Sequence, residues 1–188
     1  MRLSRLLWIP LLTGLWCLGT VCGHAGDRSA LLVIDVQKDY TALDSGSRVC
    51  PEQIGPMIST VNRLIPHFAD QKNDVIYILQ NGGGPLNESL KTTGDLKFIK
   101  NWPSAFSNVE FEAYLKKSGA RKLYITGLAA EFCVGATARD ARSQGYDVTI
   151  VSNAVAAKNC DALKSHLLQF KRERIKIIDS DQVNSAPE

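Results

Sequence analysis

Ala30-Leu-Leu-Val-Ile-Asp-Val36 is an apolar run interrupted by a single carboxylate. A strand with one wet face alternates apolar and polar residues, whereas a strand covered on both faces reads as a continuous apolar run. The stretch therefore predicts a central strand of a parallel sheet. Asp35 could cap a turn there. Yet a carboxylate beside Val33, Ile34 and Val36 is costly to desolvate without a cationic or hydrogen-bonding partner.

Moving outward, Ile54, Met57, Ile58, Val61, Leu64, Ile65 and Phe68 recur at three- and four-residue spacing and predict an amphipathic helix. Further strands are expected at Asp74–Leu79, Leu96–Ile99, Lys122–Thr126, Asp147–Val151 and Ile175–Ile178. Helices are expected to follow a capping box at Ser107-Asn-Val-Glu110, over Phe132–Gln144 and over Asp161–Lys171. Regular alternation of strand and helix implies right-handed crossovers and a mostly parallel six-stranded sheet with helices on both faces. The Asn81–Asp95 connection, with Gly82-Gly-Gly84, reads as a tight turn rather than a mobile lid.

Residues 1–25 read differently. Arg2 and Arg5 precede an apolar run from Leu6 to Val21, and Gly23-His24-Ala25 follows. This is the pattern of a secretory signal, with an uncleaved membrane anchor as the alternative. One domain is then expected over residues 26–188, exported to the periplasm or secreted. Without the leader, 20 Lys and Arg face 19 Asp and Glu. That near-neutral balance, with no long basic run, argues against a nucleic-acid partner.

Three residues capable of chemistry fall at or just past strand ends: Asp35, Lys100 and Cys133. Ligands of open parallel sheets bind beyond those ends. Each has an ordinary alternative, since most lysines are solvated and a buried cysteine usually acts as a small hydrophobe. Proximity of Cys133 to a helix N-terminus and an ammonium would favour its thiolate.

Leu32-Val-Ile-Asp-Val-Gln37 with Asp39-Tyr40, Lys100-Asn-Trp-Pro-Ser-Ala-Phe106, and Thr126-Gly-Leu-Ala-Ala-Glu-Phe-Cys-Val134 resemble, in order and spacing, three blocks of the isochorismatase-like cysteine hydrolases. The resemblance spans about residues 29–157 and implies a three-layer, doubly wound α/β/α fold. It implies an Asp35–Lys100–Cys133 triad, a cis peptide joining Leu128 to Ala129, and an oxyanion hole from the backbone N–H groups of Ala129 and Cys133. It also implies C–N hydrolysis of a small amide through a thioester, and a homo-oligomer. Gln37, Tyr40, Trp102, Phe106 and Phe132 are the candidate pocket residues.

Nicotinamidases of that family hold a metal through an Asp-x-His motif and a later histidine. This chain has only His24, His67 and His166, none so placed, so neither metal nor other cofactor is expected. If Cys133 is the nucleophile, Cys50–Cys160 is the one pairing of the three cysteines after the leader compatible with function; spacing alone does not decide it. Two other functions compete: an isochorismatase-type vinyl-ether hydrolase, which needs no thiol, and a catalytically silent binding protein on the same fold.

Overall fold

The apolar run forms β1 (Arg28–Ile34), flanked by β2 (Asp74–Gln80) and β4 (Ala120–Leu128). The computed structural model describes residues 28–42 and 49–183; the expected leader and the start of the expected domain lie outside them. β3 (Lys97–Lys100), β5 (Asp147–Ala156) and β6 (Lys176–Ile178) complete a sheet of order β3-β2-β1-β4-β5-β6, parallel throughout. The chain runs outward from β1 to β3, then returns to lay β4 against the other side of β1. That reversal makes the β1/β4 junction the switch point, where a parallel sheet opens a crevice.

Alternate residues of β1 enter two different cores. Ala30, Leu32 and Ile34 pack with Phe111 and Leu115 of α3 (Val109–Ser118), Ala138 and Ala141 of α4 (Gly135–Ser143), and Phe170 of α5 (Leu163–Arg172). Leu31 and Val33 face the apolar stripe of the long helix α2 (Pro51–Asp70), whose Ile54, Met57, Val61, Leu64 and Phe68 are all buried. Helices thus cover both faces, giving three layers. Among the described residues no helix is long and apolar enough to cross a membrane.

Local chemistry moves several expected boundaries. The α3 cap is Asn108 rather than Ser107, its side chain accepting from the Phe111 N–H at 2.8 Å. Gly119 closes that helix at φ 75°, as its missing Cβ permits. The expected helix over Phe132–Gln144 is a π-turn, Ala130–Val134, followed by α4. β5 runs past Val151 through two polar residues. Ser152 donates to the Ile178 carbonyl at 3.0 Å, and Asn153 donates to Asp179 at 2.9 Å, so the final turn Ser180–Val183 satisfies what looked like loop chemistry. The glycine-rich connection is stapled to the short helix α1 (Lys38–Thr41). Lys38 N–H donates to Pro85 O at 2.8 Å, and Asn87 Nδ2 donates to Thr41 Oγ1 at 2.7 Å.

Candidate active site

β1 ends one residue before Asp35, whose backbone turns into the left-handed region at φ 53°. Aspartate tolerates that region better than most residues. Its N–H still donates to Ile78 O at 2.8 Å, so the turn stays tied to β2. Beneath it β1 and β4 approach closely: a Cβ at Gly127 would collide with the Ile34 carbonyl.

Lys100 is the last residue of β3 and only 1% exposed. Its ammonium has three N–H donors and no acceptor. Nζ lies 2.7 Å from Gln80 Oε1, 2.9 Å from Asp35 Oδ2 and 3.2 Å from Cys133 Sγ, so each donor meets one acceptor. Asp35 Oδ1 is buried, with no hydrogen-bond partner among the described residues.

Cys133 sits in the π-turn that leaves β4, just after the cis peptide Leu128–Ala129. The Ala129 carbonyl accepts from Phe132 N–H at 3.0 Å and Val134 N–H at 3.2 Å. A Cβ on Gly135 would lie 2.7 Å from the Ala130 carbonyl, so glycine lets the turn close tightly before α4 begins.

Burial raises the Asp35 carboxyl above its ordinary value, against the opposing pull of Lys100. Burial, and then the Asp35 charge, push the Cys133 thiol up to about 12, again opposed by Lys100. The direction is opposite to the pull toward the thiolate expected from a helix N-terminus and an ammonium. α4 starts only at Gly135, beyond the sulfur, and desolvation with a neighbouring carboxylate outweighs the ammonium. At neutral pH the sulfur therefore rests as a neutral thiol.

Asp35, Gln80 and Cys133 floor a cleft of about 480 Å³. Tyr40, Val49, Pro103, Leu128 and Phe132 form its mostly apolar walls, and Ala129 and Lys158 complete it. One wall is covalently held by a Cys50–Cys160 disulfide with Cα atoms 5.0 Å apart and a sequence separation of 110. Cys50 N–H also donates to Ala157 O at 2.9 Å, and Lys158 N–H to Glu131 Oε1 at 2.9 Å. Closing so long a loop stabilises the fold by about 4–5 kcal/mol in the chain-entropy picture. A second groove of about 680 Å³ runs along the Pro51–Asp70 helix, past Arg63 and Lys91, and holds none of this cluster.

Tyr40 and Phe132 line the cleft as the sequence suggests, but three candidates do not. Phe106 is a core residue, its ring 5.2 Å from that of Phe111. Trp102 is 71% exposed and outside the cleft, because the chain turns outward after Lys100. Gln37 is 1% exposed and braces the floor from behind. It accepts from Gln80 N–H at 2.7 Å and donates to the carbonyls of Gln80 at 3.1 Å and Gly84 at 2.7 Å. Gln80 itself escaped the sequence reading. Its signal was available: a polar side chain directly after the apolar Val75–Leu79, at the same sheet edge as Asp35. Val49 and Lys158 carry no such signal, since the disulfide brings them in.

His67 lies in the long helix, edge-on to Phe68, and His166 in α5. Among the described residues, the one grouping of possible metal ligands is Cys50, Glu52 and Cys160, whose sulfurs are bonded to each other.

The chain is similar to several known proteins. It is 26% identical over 142 residues to the isochorismatase family protein YddQ of Bacillus subtilis, covering 68% of this chain and 77% of that protein. It is 23% identical to the secreted isochorismatase effector Isc1 of Verticillium dahliae, over 70% and 74% of the two chains. It is 28% identical to the ureidoacrylate amidohydrolase RutB of Pantoea ananatis, over 62% of this chain and 45% of that protein. In fold it resembles the isochorismatase family protein of Desulfovibrio vulgaris, with a TM-score of 0.78 at 19% identity, covering 85% and 98% of the two chains. Residues 29–182 match the isochorismatase domain, and the chain therefore belongs to the isochorismatase family.

Proposed function

We propose that this protein is a cysteine amidohydrolase that cleaves the C–N bond of a small amide. One observation carries the reading: a single buried ammonium hydrogen-bonds both the Asp35 carboxylate and the Cys133 sulfur on the floor of a cleft. The other family chemistry, vinyl-ether cleavage, needs no thiol there. The printed name of RutB, an amidohydrolase, supports the same choice.

In this mechanism Cys133 waits as a thiol. Asp35, one of whose carboxyl oxygens has no hydrogen-bond partner among the described residues, takes its proton as the sulfur attacks the substrate carbonyl carbon. Lys100 holds the thiolate and the carboxylate in register throughout. The N–H groups of Ala129 and Cys133, carried over from the family resemblance, stabilise the oxyanion; one such donor is worth about 2.7–4 kcal/mol in comparable sites. Asp35 returns the proton to the leaving amine, and the C–N bond breaks to leave a thioester. Asp35 then draws a proton from water, which attacks the thioester and releases the acid and the free thiol.

Export is part of the proposal. The leader pattern of residues 1–25 supports it, and so does the Cys50–Cys160 disulfide, since disulfides persist in oxidising compartments. Exposed Ile99, Trp102 and Val109 around the β3 edge support a homo-oligomer. A fall in sedimenting mass on Trp102→Glu checks that part.

The central test assays ammonia release from a panel of small primary amides, wild type against Cys133→Ser. Loss of release in the variant, with its circular dichroism unchanged, is expected. Equal release from both sinks the thioester route. Vinyl-ether turnover surviving Cys133→Ala would favour the alternative chemistry.

A further inference from the structure

Gln80 is the third acceptor on the Lys100 ammonium, and its two ends are not interchangeable. An ammonium has no lone pair, so the end of the Gln80 amide facing Nζ at 2.7 Å must be the oxygen. Flipping the amide would set donor against donor. The Nε2 group is therefore turned away from Lys100, and it makes no hydrogen bond to any described residue. The backbone of Gln80 is held as well, by the Gln37 amide at both its N–H and its carbonyl. This fixed side chain lines the same cleft as Asp35 and Cys133, whose walls are otherwise mostly apolar.

We infer that Gln80 is a specificity-determining residue whose Nε2 group donates to an oxygen acceptor on the substrate, a carbonyl or carboxylate borne next to the scissile amide. The inference rests on Cys133 being the reacting sulfur. Asp35 and Lys100 neutralise one another on the cleft floor, so the floor does not repel an anionic substituent. A donor aimed at an apolar analogue goes unmatched, and a site built around such a hydrogen bond rejects that analogue. For one half-buried donor the discrimination expected is about ten- to a hundredfold.

Two measurements on the full chain test this. The first follows alkylation of the Cys133 peptide by iodoacetamide, which carries a carbonyl acceptor, and by propyl iodide, which carries none, read by mass spectrometry as a ratio of rates. In the wild type the ratio should exceed that of free cysteine. Gln80→Met keeps the site neutral but removes the donor, and should bring the ratio down about tenfold or more; Gln80→Glu, with a carboxylate in the donor's place, should lower it further. A wild-type ratio equal to that of free cysteine, or a wild-type ratio retained in Gln80→Met, overturns the inference.

The second compares kcat/KM for malonamate and malonamide, which offer an acceptor, against butyramide, which does not. Preference for the first pair should vanish in Gln80→Met, and an unchanged preference counts against the role. The two readings fail separately. Should no amide turn over while the alkylation ratio follows Gln80, the amidase proposal falls and Gln80 stands. Should amides turn over with no acceptor preference, Gln80 falls alone.

Discussion

Two ion pairs in this molecule have the same chemistry and nearly the same length. Lys100–Asp35, at 2.9 Å, lies with both side chains at most 3% exposed; Arg139–Glu173, at 2.8 Å, lies on the surface with side chains 42% and 28% exposed. Their carboxyls shift in opposite directions. Hydrogen bonds from Arg139 hold Glu173 below its usual range, while burial lifts Asp35 above its own despite the ammonium beside it. The contact distance does not decide what an ion pair does; the solvent around it does. Water lets the surface pair simply favour the charged form. Without water, the inner pair holds a carboxyl with a raised proton affinity, which is what the proposed general base needs.

The largest effect should come from breaking the inner pair. Lys100→Met leaves the Asp35 charge buried and alone, which costs about 3–5 kcal/mol of stability and abolishes turnover. Denaturant titration measures the first, and an Asp35→Asn/Lys100→Met double variant should recover most of it. A double variant as unstable as the single would mean that packing, not charge, dominates.

Asp35→Asn separates the two roles of the carboxylate. Turnover should fall by about 10²–10⁴-fold, as expected for loss of a general base. Yet the Cys133 pKa should drop well below about 12, because the Asp35 charge is one of its main causes and Lys100 remains. Cys133 alkylation at pH 8 should therefore accelerate while catalysis dies. Slower alkylation in the variant would reverse the sign argued here.

The raised Asp35 value also sets a pH dependence. The proposed mechanism needs the base form, so kcat/KM should fall as pH drops through a point above the ordinary carboxylate value. An acid limb at or below that value would contradict the burial argument. The smallest effect belongs to the surface pair: Arg139→Ala should cost below about 1 kcal/mol and less in high salt. Because Glu173 is lowered, that contribution is present above the unfolded carboxylate value and lost as pH falls through the folded one. A salt-independent loss of several kcal/mol would erase the contrast between the pairs.

The difference between the pairs mirrors what could be read from the chain. Periodicity located all six strands and the long helix, because burial on one face or two writes itself into local spacing. It misplaced ends where distant residues intervened: β5 continues through Ser152 and Asn153 because residues 178–180 satisfy them. It could not sort aromatics. Trp102, Phe106 and Phe132 all lie near Lys100 or Cys133 in sequence, yet one is exposed, one is core and one lines the cleft.

By itself the sequence determined the parallel α/β architecture and named Asp35, Lys100 and Cys133 as residues delivered to one sheet edge, since strand order in sequence and the apolar run carry that information. Only the tertiary structure decided that Gln80 takes the third bond of Lys100, that Cys50 meets Cys160, and that Cys133 rests protonated. Each of these depends on distance and desolvation between segments tens of residues apart, and neither quantity is encoded in any local pattern.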